Sequence, residues 1–329
     1  MRIMMDLVRA IREDGLTLSA ILRQQQQYHE HRRWSVFDLF AQRRPSEIDP
    51  RDRAAIWHAA RAELTTQPAG IRLATLGVRL ANEIAGENPI GSVVLHAAAA
   101  WSARYWLEEE AHHEVAYGML LEMMGDEPIP EEEVVEHRGA FPDDNYARVC
   151  MLQACVEIEA AITYGEMAKK AHDPLVRDVF LNIMRDEVQH RQYFTSFAQA
   201  LVDADVYPAK DVLAMAFTWI RPNGETHGST RKQQTNREGF VNWWERVRTE
   251  DGDELALHDE QIRSAYLQSK KERSVLKAVF EATGQRYENV SELRRGYMKS
   301  LVRAKPAPTE SGIVSTIAEA IATREAAAE

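Results

Sequence analysis

Two stretches of this chain each set a glutamate and a histidine three residues apart. Glu108-Glu109-Glu110-Ala111-His112-His113 holds one such pair and Asp186-Glu187-Val188-Gln189-His190 the other. On a helix, residues at that spacing share a face, so a carboxylate and an imidazole point the same way. Carboxylate oxygens suit hard iron or manganese ions, and imidazole is a ligand that tolerates redox change. A single Glu-x-x-His on a charged helix is usually a solvated face. Two of them, on two long helices, point to a pair of metal ions held inside a helical bundle.

The first stretch contains two overlapping pairs, Glu109/His112 and Glu110/His113, rotated about 100° from each other. In the second stretch an acid, Asp186, directly precedes Glu187. Matching Glu109 to Asp186 gives Glu110 and His113 the ligand roles. The preceding acids, Glu109 and Asp186, are then placed to orient histidines across the bundle.

Each ion needs further ligands, one Glu from each remaining helix. Antiparallel neighbours bring residues to equal height when they are equidistant from the connecting turn. The turn at residues 172–174 pairs Glu157 with Glu187, and the turn at residues 86–89 pairs Glu63 with Glu110. Glu83 is the competitor for Glu63, but it sits near the turn, about 25 Å from the height of Glu110 at 1.5 Å per residue.

The elements that must carry these residues are helical, because apolar positions recur at i, i+3 and i+4 and no useful alternation appears. The expected helices cover residues 5–28, 51–85 with a kink at Pro68–Gly70, 90–124, 144–171, 175–202, 211–220, 253–283 and 290–304. Residues 33–49 read as irregular, 128–142 as an acidic, proline-rich loop and 221–237 as a polar loop or lid. The expected organisation is an N-terminal helix and lead-in (1–50), a four-helix bundle (51–220), C-terminal loop and helices packed on it (221–304), and a linker with a tail helix (305–329).

Composition narrows the class. The 329 residues include 40 Lys and Arg against 51 Asp and Glu, a net charge of -11, which argues against nucleic acid as the main partner. No apolar run approaches the roughly 20 residues of a membrane span. The N-terminal stretch mixes Arg with acids and lacks a signal-peptide core. Cys150 and Cys155 lie on one expected helix, where a disulfide is sterically unfavourable. A cytoplasmic location is the expectation.

With these residues in hand, the chain resembles the soluble acyl-carrier-protein desaturases, a branch of the ferritin-like di-iron carboxylate proteins. Trp106 through His113 looks like that family's Trp-Thr-Ala-Glu-Glu-x-x-His, and Asp186 through His190 is similar to its Asp-Glu-x-x-His. Ala161-Ile162-Thr163-Tyr164-Gly165, with Glu157 upstream, resembles the helix donating the third Glu. Arg33 through Phe40 resembles its Trp-x-x-x-Asp-Phe-Leu segment. The likeness covers residues 33–220.

The resemblance implies an all-α, ferritin-like four-helix bundle with flanking helices. It implies two irons, or a mixed manganese–iron pair, with O2 as co-substrate and an acyl or other apolar substrate. It places Trp34 on an electron path through Asp186 to His113. It implies a ferredoxin-type donor, an acyl carrier protein as substrate carrier, and a homodimer. The basic pairs at Arg32-Arg33, Arg43-Arg44, Lys169-Lys170 and Lys270-Lys271 are candidates for carrier docking, and Trp101, Tyr105, Met119 and Met184 for a substrate channel.

The chain also departs from the family. Ala160 stands where plant desaturases have a Thr, and the Glu63–Glu110 spacing is longer than usual. A di-iron N-oxygenase or hydroxylase of a natural-product pathway is the alternative, although N-oxygenases carry an extra His where this chain has Ile183. Iron storage and peroxide scavenging are disfavoured by chain length and by the lack of a rubredoxin-like Cys cluster.

Overall fold

The structure, a computed structural model, describes residues 6–43, 48–63, 66–129, 144–220 and 254–303. The regular structure of the described residues is all helical, with no strand among them. In chain order the helices are α1 (Leu7–Glu13), α2 (Leu18–Arg32), α3 (Val36–Arg43), α4 (Arg53–Glu63), α5 (Thr66–Ile84), α6 (Pro89–Trp101), α7 (Leu107–Met123), α8 (Tyr146–Lys170), α9 (Pro174–Asp203), α10 (Ala209–Ile220), α11 (Glu254–Thr283) and α12 (Val290–Arg303). A 3-10 turn, Pro50–Asp52, precedes α4, and one wide π turn, Ser102–Trp106, joins α6 to α7.

The long helices start where side chains satisfy the free N–H groups of a first turn. Asn88 accepts from Gly91 N at 2.9 Å ahead of α6, Asn145 from Arg148 N at 3.0 Å ahead of α8, and Asp173 from Leu175 N at 2.7 Å ahead of α9. Pro89 and Pro174 occupy the first helical positions, where a missing N–H costs nothing. The turns are also tied across the molecule. Asn88 Nδ2 donates to Ala204 O at 2.7 Å, and the buried Asp52 carboxylate accepts from the backbone of His172 and Asp173 at 3.0 and 2.8 Å.

Three expectations are corrected. The single N-terminal helix is two, α1 and α2, because Gly15 takes a left-handed φ of 65° and Thr17 caps a new start. The stretch read as irregular contains α3, whose buried Val36 and Phe40 anchor one face. The helix expected to kink at Pro68 instead ends at Glu63 and restarts at Thr66, leaving Pro68 in a first turn, where it fits. Just beyond it, Gly70 lets α5 approach α7 closely, since a Cβ there would come within 2.8 Å of Leu107 Cγ. The expected features at 221–237 and 305–329, and most of the 128–142 loop, lie outside the described residues.

Two apolar clusters divide the interior. One takes Trp101 and Trp106, Tyr146 to Ile158 of α8, and Tyr193 to Leu201 of α9, with contributions from α1, α2 and α10–α12. The other takes Tyr117 and Leu120 of α7, Ala160 to Ala168 of α8, and Leu175 to Ile183 of α9, with Ile56 and Ala60 of α4 and Val36 and Phe40 of α3. On α7 and α9 the stretch between the two clusters carries the acids and histidines of the paired motifs, and on α8 Glu157 lies at the edge of the first cluster. Cys150 and Cys155 are free and buried, and burial pushes both thiols up from their usual range.

Candidate metal centre

The π turn ends one residue before α7, and Glu108, Glu109 and Glu110 fill the first turn of that helix. Such a turn inserts an extra residue and re-aims the faces that follow, a feature that recurs at functional sites. Glu110 and His113 emerge buried on one face, while His112 stays half-buried outside the cluster. Glu187 and His190 emerge buried from α9, Glu157 from α8 and Glu63 from the last position of α4.

These six residues form two overlapping quartets. Glu63, Glu110, His113 and Glu187 each offer a ligand atom within 4.8 Å of the others, and so do Glu110, Glu157, Glu187 and His190. Glu110 and Glu187 belong to both, so they would serve both ions of a bound pair, with Glu63 and His113 on one side and Glu157 and His190 on the other. Glu83 is elsewhere, 52% exposed and paired with Arg79 at 2.9 Å.

The polar atoms fit cations better than they fit one another. His113 Nδ1 lies 3.5 Å from Glu110, 3.5 Å from Glu187 and 3.7 Å from Glu63, surrounded by oxygens but without a hydrogen bond among the described residues. Glu110 Oε1 and Glu157 Oε1 are likewise buried without one. Buried polar groups are almost always paired, so three such atoms, spread over the two quartets, fit sites that take cations. Two divalent cations would neutralise the four carboxylates of the quartets.

The ionisation preferences follow from this crowding. Burial, reinforced by the charges of Glu110 and Glu187, pushes Glu63 up to about 8 against the attraction of nearby His113. Burial and the Glu187 charge likewise hold Glu157 well above the carboxylate range. Burial opposes the charge on both histidines, but the surrounding carboxylates, which accept from their ring N–H groups and attract the charge, outweigh it and raise them. Burial also works against ionised Glu109 and Glu110, yet their histidine partners hold both below the usual range.

The acids preceding the ligand glutamates each reach the histidine of the opposite motif. Asp186 Oδ2 lies 3.3 Å from His113 Nε2, and Glu109 Oε2 lies 2.7 Å from His190 Nε2. Each histidine therefore turns Nδ1 toward the quartets and Nε2 toward an acid. Asp186 also accepts the Trp34 indole N–H at 2.7 Å and a guanidinium N–H of Arg32 at 3.2 Å.

Several residues here were not among the sequence candidates. His29 of α2 contacts Glu109 Oε1 at 2.7 Å and Trp101 Nε1 at 3.1 Å. The Tyr164 hydroxyl donates to Glu63 Oε1. The signal for His29 was present: Ile21, Gln25 and His29 recur every fourth residue on the buried face of α2. Nothing in the spacing identified what that face would meet.

Of the channel candidates, Trp101 and Tyr105 belong to the first apolar cluster, and Met119 and Met184 pack against the second. Most of the basic pairs are engaged locally. Arg32 serves Asp186, Arg33 pairs with Glu108, Lys169 and Lys270 face Glu166 at 2.6 and 3.8 Å, and the buried Lys271 pairs with Glu159. The Arg43-Arg44 side chains lie outside the described residues. No helix among the described residues is long and apolar enough to cross a membrane. Compared with protein-family models, curated proteins and solved structures, the chain matches none.

Proposed function

We propose that this chain is an O2-dependent di-iron oxidase of ferritin-like architecture, acting on an apolar, acyl-type substrate in the manner of the soluble acyl-carrier-protein desaturases. The observation that carries the reading is the pair of quartets sharing Glu110 and Glu187, each closed by one histidine through Nδ1. When bound, a pair of irons would supply the reductive activation of dioxygen and the power to remove hydrogen from carbon. The chain supplies the rest. Glu63, Glu110, Glu157 and Glu187 provide the negative charge that retains the cations, and His113 and His190 the nitrogen donors.

Dryness is built in as well. The six ligands are at most 5% exposed and lie between two apolar clusters, so water is kept from the centre. On the side of the second cluster, Ile183 sits one turn before Glu187 and Ala160 one turn after Glu157, both buried. Small and apolar residues there suit a hydrocarbon chain. A buried Ile183 supplies no extra imidazole, which favours the desaturase-like reading over N-oxygenation.

The test begins with metal. Purified chain reconstituted with ferrous iron under argon is expected to hold two irons per chain. Incubation with a reductant, a ferredoxin-type donor, O2 and acyl substrates, free and carrier-bound, is then read by mass spectrometry. Loss of two hydrogens indicates desaturation, and gain of one oxygen indicates hydroxylation or N-oxygenation. A reconstituted sample with far fewer than two irons would sink the proposal.

A further inference from the structure

The two metal positions have matching ligands but different backing. Behind His113 stands Asp186, whose Oδ2 is shared between the Trp34 indole at 2.7 Å and His113 Nε2 at 3.3 Å, while Arg32 takes Oδ1. Behind His190 stands Glu109, with one oxygen for each partner: Oε2 for His190 and Oε1 for His29, both at 2.7 Å. The contact behind His190 is thus shorter and unshared.

The proton positions in this second chain follow from chemistry. An indole N–H can only donate, so Trp101 Nε1 donates to His29 Nε2 at 3.1 Å. His29 Nε2 is then an acceptor, and its proton sits on Nδ1, which donates to Glu109. Glu109 accepts at both oxygens as a carboxylate, and His190 Nε2–H supplies the second donor. That leaves Nδ1 of His190 turned to Glu187 and Glu110 at 3.0 and 3.1 Å, the nitrogen available to a metal.

The chain is also held rigidly. His29 is buried, stacked on Tyr105 at 4.2 Å with planes 4° apart, and flanked by Tyr193 at 5.5 Å. Trp101 is fully buried, stacked on Tyr193 at 4.6 Å and edge-on to His190 at 6.1 Å. Neither His29 nor Trp101 can swing away from its partner without disrupting this stack. The opposing chain divides Asp186 among three donors, Arg32 at Oδ1 and Trp34 and His113 at Oδ2, whereas Glu109 keeps Oε2 for His190 alone, so the geometry fixes His190 more tightly behind its metal-facing nitrogen.

We propose that His29 and Trp101 are positioning residues that make the two metal positions unequal. They hold His190 as the stronger nitrogen donor, so that the position formed by Glu110, Glu157, Glu187 and His190 fills before the one formed by Glu63, Glu110, Glu187 and His113. The inference rests on the di-metal reading above and adds an order to it. It also gives α2, which carries no ligand, control over metal loading.

Cobalt(II) titration of the full metal-free chain, followed by visible absorption against a competing chelator, tests it. Two cobalt ions are expected to bind in separate steps, with Glu157→Gln removing the tighter step and Glu63→Gln the weaker. His29→Leu is expected to weaken the tighter step by about 10- to 100-fold, the range for loss of a partner behind a ligand histidine. His29→Asn, whose amide N–H replaces the donor to Glu109, restores most of that loss. Trp34→Phe affects the weaker step alone. Circular dichroism confirms that each variant is folded.

Equal affinities in the unmodified chain would overturn the inference. So would a His29→Leu protein with unchanged steps, or a His29→Asn protein as impaired as His29→Leu. Binding of fewer than two cobalt ions by the unmodified chain is a different failure, that of the di-metal reading itself.

Discussion

Trp34 donates its indole N–H to Asp186 at 2.7 Å, onto the same carboxylate oxygen that faces His113. The resemblance suggested this order of residues, and the geometry supplies continuous contacts from a partly buried indole to a ligand imidazole. If electrons enter here, Trp34→Phe keeps a ring but removes the bond to Asp186. With iron in excess so that both positions are filled, reduction of the ferric centre by a one-electron donor is then expected to slow by roughly 10-fold or more. Stopped-flow bleaching of the ferric absorption measures it. An unchanged rate would remove Trp34 from the path.

The choice of Glu63 over Glu83 yields a sharp contrast. Glu63 is buried against His113 and accepts from Tyr164, whereas Glu83 is exposed and paired with Arg79. Glu63→Ala is expected to lower the metal content from two ions toward one. Glu83→Ala should leave both ions in place and shift stability by no more than about 0.5 kcal/mol, as for an exposed ion pair. Metal analysis and thermal unfolding of the two variants decide between them.

These outcomes mark what could be read before the fold was seen. Ligand spacing of three on a helix and turns marked by Pro89 and Pro174 sufficed to bring Glu63, Glu110, Glu157 and Glu187 to one height, because that depends only on helix rise and turn position. The irregularities on the way were hidden. The π turn at Ser102–Trp106 leaves no compositional mark, and the break after Glu63 was assigned to Pro68, five residues later. His29 was hidden for another reason. Its partner Glu109 is 80 residues away, and no local pattern specifies which helix a buried polar face will meet.

The C-terminal helices are fastened to the centre by a charge. Lys271 of α11 is buried, pairs with Glu159 of α8 and sits 5.5 Å over the Trp219 ring of α10. Removing one member of a buried pair strands the other. Lys271→Met alone is expected to destabilise the chain by about 3 kcal/mol. Adding Glu159→Gln removes the stranded charge and should recover most of the loss. Urea unfolding of the single and double variants measures both, and additive losses would show that the pair is not coupled.

The quartets also predict how metal binding responds to acidity. In the metal-free chain burial and neighbouring acids raise Glu63 to about 8, so below that pH its carboxyl carries a proton. A cation binds the carboxylate, so binding displaces that proton, and the raised histidines add to the release. The sign is therefore fixed: more protons leave at pH 6.5 than at pH 8.5, and affinity rises with pH across that interval. Glu109 and Glu110 contribute little, because their histidine partners keep them ionised well below neutrality. Calorimetric cobalt titrations in buffers of different ionisation heat count the protons directly. Glu63→Gln has no carboxyl proton to lose and lacks the weaker cobalt step, so its total release at pH 6.5 should fall short of the unmodified chain's total by at least one proton per chain. Equal release from both proteins would mean that Glu63 is already ionised in the metal-free centre and that its raised affinity for a proton is not what the cation competes with.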